Sequence, residues 1–382
     1  MATTMELTLT DLLAKCHSAA FRTELDPDEA QQAIGYFPVY FPEEIVHAAG
    51  LRPFALYGGG NRMEVRYADA RIGSFVCSIC RTTTELGLNG DLSTMKGFFA
   101  QPICDAAKHM AGIWGRNFPD QEPQLLALPQ NVNTPGSVQY IRDEYQRLRV
   151  ELERRTGLTI TDDAIRNSIR VYNEDRRLQR ELYRIKRDDP ARLTTVEAYL
   201  LVRAGMRMRR EEHVEILQQA LRLIAERPAY AMDKPRVIFL GGFCEQPPLE
   251  MIEAIEDTCF IVDDDLLIGQ RWIVEDVSET GDPVWALAEA YVNRSASSPV
   301  QFDARKPKTE TVLTMLHEAH AEAAIISAAK FCEPGLDDQH AQSRRLDAEK
   351  IPHLILEFEE KMTNFEQMAM QVETFAESLL FK

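Results

Sequence analysis

The chain has 382 residues, 45% of them hydrophobic and 27% charged, an ordinary globular composition long enough for two to three domains of about 150 residues. Its formal charge of −17, from 43 basic and 60 acidic side chains, disfavours nucleic acid or anionic lipid as the main partner. No run approaches the ~18 consecutive apolar residues of a membrane span, so no membrane is expected as a partner either.

Met1 to Leu13 carries Glu6 and Asp11 and no basic cluster, which argues against a signal peptide. Residues 1–35 read as a polar, helical N-terminal segment, and a first α/β domain is expected over 36–136. Pro42 with Glu43 and Glu44 after it suits a helix start near the beginning of that domain. Proline at the first helical position loses no hydrogen bond, and the two acids face the helix dipole. That helix should end near Gly50, before a short strand from Phe54 to Tyr57 that Gly58-Gly59-Gly60 stops. A helix around Asp91 to Trp114, broken near Pro102, comes next, then a second short apolar run from Leu125 to Leu128. Strand–helix alternation of this kind predicts a parallel sheet.

Residues 137–230 differ in character. They are charged and poor in Pro and Gly over most of their length, with Arg166, Arg170, Arg177, Arg180, Arg184 and Arg187 at helical spacing, and read as about three helices with breaks at Asp189-Pro190 and Gly205. A second α/β domain is expected over 231–382. Its strands are Arg236 to Leu240, running into Gly241-Gly242, then Phe260 to Val262, followed by Asp263-Asp264-Asp265, then Ala323 to Ser327 and His353 to Glu357; Thr363 to Phe381 closes it as an amphipathic helix. Right-handed crossovers follow, and in such sheets ligands bind outside the carboxyl ends of the strands.

Seven cysteines is an odd number with no disulfide-module spacing, which predicts a reducing, cytoplasmic setting. Cysteines kept there are buried thiols or metal and redox ligands. Cys104, Cys244 and Cys332 stand at loop or helix-start positions beside Pro or Gly, where a turn exposes sulfur and backbone N–H groups to a cluster. Cys77-x-x-Cys80 resembles half of a zinc knuckle or a thioredoxin motif, and no second pair accompanies it. By spacing alone, buried thiols remain the leading reading.

Other candidates are weaker. Gly58-Gly59-Gly60 is not GxGxxG, and no GxxxxGK[ST] occurs. His317 and His320 suit surface or packing roles better than a metal. The three acids at 263–265 suit a cap or an ion pair with Arg271 better than a cation. Ser297-Ser298 has no nucleophile partner, and the arginine-rich helices read first as a solvated face.

Several motifs in order say more. Tyr40 to Leu51, Ile103-Cys104-Asp105 with Gly112-Ile113-Trp114, and Phe243-Cys244-Glu245-Gln246-Pro247-Pro248 resemble the 2-hydroxyacyl-CoA dehydratase and benzoyl-CoA reductase family. So do Ile261 to Asp265, Arg271-Trp272, and Phe331-Cys332-Glu333-Pro334 with Asp338-Gln339. The resemblance runs from about residue 35 to the C-terminus and is greatest to the smaller, cluster-bearing subunits of ATP-dependent benzoyl-CoA reductases. It implies two flavodoxin-like, doubly wound parallel-sheet domains with an inserted helical region. It also implies a [4Fe–4S] cluster on Cys77, Cys104 and Cys332, and names no catalytic residue. Cys80 is an extra thiol in this pattern, and Thr82 stands where the family has Ser.

The implied partners are a larger homologous cluster-bearing subunit and ATPase subunits that hold ATP and Mg and activate the electron. Ferredoxin is the indirect donor. The implied activity is delivery of low-potential electrons to the ring of benzoyl-CoA, giving a cyclohexadiene-carbonyl-CoA in anaerobic aromatic degradation. The small subunit of a 2-hydroxyacyl-CoA dehydratase and a cluster-free scaffold subunit are the alternatives. Arginines within 142–210 are the dense basic supply if acyl-CoA phosphates touch this chain.

Overall fold

The computed structural model describes residues 7–60, 63–90, 92, 94–228, 233–266, 275–359 and 362–381. Two helices, α1 (Leu9–Ala20) and α2 (Pro27–Ala30), precede the first sheet. Thr8 starts α1 with a capping box, accepting from the Asp11 N–H while the Asp11 carboxylate accepts from Thr8.

The first sheet contains β1 (Ala33–Phe37), β2 (Arg52–Ala55), β3 (Gly97–Ala100) and β4 (Gln124–Leu125), all parallel, in the order β2-β1-β3-β4. Its helices are α3 (Glu43–Ala48), α4 (Ser78–Leu88) and α5 (Asp105–Asn117). The second sheet contains β5 (Arg236–Gly241), β6 (Phe260–Asp264), β7 (Ala323–Ala329) and β8 (His353–Phe358), again parallel, in the order β6-β5-β7-β8. Helices α10 (Leu249–Glu256), α11 (Pro283–Asn293), α12 (Lys308–Glu318), α13 (Glu333–Ala348) and α14 (Glu366–Leu380) accompany it. Numbered within its own sheet, each half has the order 2-1-3-4, so the expected flavodoxin-like doubly wound architecture is present twice.

Between the sheets run α6 (Ser137–Thr156), α7 (Asp162–Asp188), α8 (Thr195–Ala204) and α9 (Arg210–Ala225). The region has four helices rather than three, because Gly157 in the left-handed conformation ends α6. The buried face of α7 recurs three to four residues apart, through Ile165, Ile169, Tyr172, Arg176, Gln179, Tyr183 and Lys186. Packed against α3 on one side and β6 and α11 on the other, α7 ties the two sheets together. One continuous core therefore joins both sheets, and a smaller core lies on the far face of the second. Strand alternation divides them: Val237 and Phe239 face the shared core, Ile238 and Leu240 the smaller one.

Two expectations fail in the first half. Ala33 to Gly35 belong to β1, not to a helical segment, and all five residues of that strand are buried. The helix expected from Asp91 contains β3 instead, and helix begins only at Asp105; Asp91 itself lies outside the described residues. Gly97-Phe98-Phe99-Ala100 is a short, fully buried run, which periodicity cannot tell from a helical turn. Arg271 and Trp272 also lie outside the described residues. Among the described residues no helix is long and apolar enough to cross a membrane.

Candidate metal centre

In a 2-1-3-4 sheet the chain leaves strands 1 and 3 in opposite directions, opening a crevice between their carboxyl ends. A cavity of about 440 Å³ draws walls from both crevices. Phe37 ends β1 and Pro38 follows it, Ile103 and Cys104 follow β3, Cys244 follows β5, and Phe331 and Cys332 follow β7. Cys77 and Cys80, at the start of α4, complete the set. Five of the seven cysteines thus line one cavity. Cys16 and Cys259 are buried in the core elsewhere, where burial pushes the Cys16 thiol up to about 12 and raises Cys259 as well.

Three of the five thiols head helices. Cys77, Cys104 and Cys332 are the N-cap residues of α4, α5 and α13. A helix N-terminus presents unpaired N–H groups and a positive partial charge, which favours thiolate. At Cys104 the Sγ accepts the Ala107 N–H at 3.4 Å. Burial nonetheless pushes that thiol up to about 11. A hydrogen bond with Cys77, then burial, raises Cys80, and the two Sγ atoms are 3.5 Å apart. Burial, then a hydrogen bond with Cys332, raises Cys244. Each of these shifts favours the protonated thiol, and a thiol that binds a metal gives up its proton.

The donor set fits an iron–sulfur cluster better than a lone ion. Among the described residues no three His, Cys, Asp or Glu side chains converge as a single-ion site; the thiols instead surround a space. Ile72, Ile79, Met110 and Ile113 line the same cavity, and so do Arg71, Asp105, His109 and Glu333; the five sulfurs are the soft donors that iron–sulfur clusters take.

Glu245 fastens the two halves at this point. It is 1% exposed and follows Cys244, yet its carboxylate accepts the Ser78 hydroxyl at 2.5 Å and the Ile79 N–H at 3.4 Å. The second half thus caps the helix that Cys77 begins. Phe243 to Pro248 is conspicuous in the sequence, but nothing there shows that its acid reaches a helix 167 residues away.

The sequence match to the family is direct. A profile described as 2-hydroxyglutaryl-CoA dehydratase, D-component, matches residues 38–379. The chain belongs to this family. It is 35% identical to a benzoyl-CoA reductase subunit of Thauera aromatica over 378 residues, 97% of this chain and 98% of the relative. It is 29% identical to the (R)-2-hydroxyglutaryl-CoA dehydratase subunit beta of Acidaminococcus fermentans over 369 residues, covering 95% and 97% of the two chains. To the (R)-phenyllactyl-CoA dehydratase beta subunit of Clostridium sporogenes it is 28% identical over 349 residues, covering 91% and 92%.

The remaining candidates have structural partners. Glu43 and Glu44 do not face solvent at a helix end. Glu43 accepts from Tyr36, from the Tyr172 hydroxyl at 3.0 Å and from Arg210 at 2.5 Å, and Glu44 pairs with Arg176. Asp263 pairs with Arg187, Asp264 with Lys186, and Asp265 accepts the Gly241 N–H. Arg166 pairs with Asp163, Arg177 and Arg180 with Asp276, and Arg184 with Glu181 and Asp188. Carboxylates thus engage these guanidinium forks, with Arg177 and Arg184 paired at the exposed surface. His317 lies in the last turn of α12 and, among the described residues, joins no single-ion site.

Proposed function

We propose that this chain is the iron–sulfur subunit of an ATP-dependent benzoyl-CoA reductase complex, with Cys77, Cys104 and Cys332 holding a [4Fe–4S] cluster. One observation carries the reading: three helix-heading cysteines, two from one half and one from the other, line a single cavity at the paired crevices. When bound, such a cluster supplies one-electron transfer at low potential. The chain's own part is to present three sulfurs at helix N-termini and to hold α4 in place through Glu245.

In this reading ATP and Mg sit on partner ATPase subunits and ferredoxin donates indirectly. A larger homologous subunit pairs with this one in the cytoplasm, and the acyl-CoA ring accepts the electrons. The divisions near residues 36, 137 and 231 serve as the working domain boundaries. The dehydratase alternative rests on the family profile and on relatives at 27–29% identity; the 35% match to the reductase protein ranks reduction first.

The test compares iron, acid-labile sulfide and the low-temperature EPR spectrum of anaerobically co-purified wild-type and Cys104→Ser complexes. About four fewer irons per copy of this chain in the variant is the expected result for a [4Fe–4S] site. Equal iron counts would remove the cluster from this chain and favour the scaffold reading. Product analysis with benzoyl-CoA and with a 2-hydroxyacyl-CoA then separates ring reduction from loss of water.

A further inference from the structure

A second cavity of about 440 Å³ lies apart from the cysteines and shares no described wall residue with the first. It sits at the carboxyl end of β6, bounded by the start of α12 and the middle of α13. Ligands of doubly wound sheets bind at that end of the strands, and the volume is that of a small-molecule site. Among the described residues only Ala296, Pro307, Val312 and Met315 give the wall apolar side chains. Such a wall suits a polar ligand, not an aryl or acyl chain. Its cations gather at one place: Arg305, Lys306 and Lys308 fall within four residues at the start of α12, whose first turn has no side-chain cap. Lys306 Nζ donates to the Ser295 carbonyl at 2.6 Å and Lys308 Nζ pairs with Asp338 at 2.7 Å, so both ammonium groups are held at the wall. Acids line the cavity too, but Asp263, Asp265 and Glu310 are engaged by Arg187, the Gly241 N–H and Arg345. Glu318 lies at the far end of α12 from the lysines, and Glu275 completes the acids. A separate observation comes from α13. Gln342 is 3% exposed and lines the cavity, and its carboxamide has no hydrogen-bond partner among the described residues. It stands one turn after Asp338 on the same helix face, beside the Lys308 contact.

We propose that this cavity binds a phosphate ester with a polar body, of the nucleotide kind, its phosphate at the start of α12 beside Lys306 and Lys308 and its body against Gln342. The inference does not depend on the iron–sulfur reading. Uncapped N–H groups and the positive end of the helix dipole favour a phosphate at a helix start. Lysine ammonium groups add charge-assisted hydrogen bonds to its oxygens. A buried amide left unpaired is costly, and Gln342 offers two donors and an acceptor to a base edge or a sugar hydroxyl. Phosphate alone would leave that amide unanswered, which is why the ligand carries a hydrogen-bonding body. A free nucleotide and the nucleotide end of a coenzyme share this chemistry.

The experiment follows hydrogen exchange of α12 and α13 peptides in the anaerobically purified complex, so that binding is read at this cavity and not on another subunit. Inorganic phosphate, ADP and coenzyme A are each titrated into wild type, Lys306→Gln and Gln342→Met. Protection of both helices is expected with ADP, with coenzyme A or with both, and with phosphate only at higher concentration. Protection by both marks the nucleotide as the feature recognised; protection by one alone tells a free nucleotide from a coenzyme, and each result supports the proposal. Lys306→Gln should weaken every probe roughly tenfold to a hundredfold, the worth of one hydrogen bond to a charged group. Gln342→Met, of similar size but without the amide, should weaken the nucleotides and spare phosphate. Lys308→Gln replaces Lys306→Gln if the latter alters exchange before ligand is added. No protection by any probe, protection by phosphate alone, or nucleotide titrations that either substitution leaves unchanged would overturn the proposal.

Discussion

Asp175→Ala tests whether the buried charge network beneath α3 holds the first half against the helical region. Asp175 lies in α7 and is 1% exposed. Its carboxylate accepts from Arg210 at 2.7 Å, from His213 Nδ1 at 2.5 Å and from Gln179 at 2.5 Å. Arg210 bridges onward to Glu43 of α3, five residues beyond Pro38 in the cavity wall. Alanine leaves Arg210 with one carboxylate instead of two and leaves the fully buried His213 without its partner at Nδ1. Breaking a buried pair by removing one member costs about 3–5 kcal/mol, because the other charge stays buried. In local terms, hydrogen exchange of α3 and α9 amides should accelerate roughly a hundred- to several-thousand-fold. Burial alone would raise the Asp175 carboxyl; His213 and Arg210 outweigh it and hold the group well below its ordinary 3.8. A depressed folded value means that this stabilisation is fully present above 3.8 and is lost as pH falls through the folded value. The control is Glu181→Ala on the same helix, which removes a partner only from exposed Arg184 and should leave exchange unchanged. Matching exchange rates in the two variants would refute the argument.

Three further outcomes are expected in stability and one in exchange. Burial lifts the Asp263 carboxyl to about 6 despite its pairing with Arg187, so the folded chain holds that proton more tightly than the unfolded one. Stability should therefore fall by up to about 3 kcal/mol as pH rises from 3.8 to about 6, and Asp263→Asn should abolish that slope in urea titrations at several pH values. Gly241 has φ +102° and a Cβ there would sit 2.1 Å from the Ser327 carbonyl oxygen, so Gly241→Ala should lower stability by at least about 2 kcal/mol in urea unfolding. Exposed Gly112 in α5 has open space around it, and Gly112→Ala should raise stability by roughly 0.5–1 kcal/mol in the same assay. Glu245→Ala removes both acceptors at the start of α4 and should speed exchange of its first-turn amides, with Glu245→Gln intermediate; unchanged exchange in the alanine variant would refute the cap.

All four strands of the second sheet were legible because each is an apolar run of strand length bounded by turns, acids or glycines, from Arg236 to Gly241 through to His353 to Phe358. Half of the first sheet was not. Ala33–Phe37 is buried throughout, so it shows no alternation, and Gly97–Ala100 is only four residues long. At the site, Cys104 and Cys332 stood out because a helix start beside proline is visible in sequence. That Cys244 and Cys332 line one cavity was not visible, since it depends on β5 and β7 being neighbours in the sheet. Glu43 and Glu44 show the limit in another form: acids at a helix start are ordinary, and only the fold reveals that arginines from α7 and α9 cover them.

The doubled architecture explains why the cavity needs a fastening. A single 2-1-3-4 sheet carries its ligand crevice within one rigid body, so its walls keep their spacing. Here β1 and β3 supply one wall and β5 and β7 the other, and any slip between the sheets would change the separation of Cys77 and Cys104 from Cys332. On the proposed reading, a cluster held by these three sulfurs would tolerate little such change. Glu245 answers this directly, since it adjoins Cys244 in one half and caps the Cys77 helix of the other. Behind it α7 resists the same slip, with Asp175 and Arg176 reaching α3 through Arg210 and Glu44 while Lys186 and Arg187 reach Asp264 and Asp263 of β6. One helix thus carries charges for both sheets at opposite ends, and the long arginine-rich region, which resembles a solvated face in sequence, works as the brace that keeps the two crevices in register.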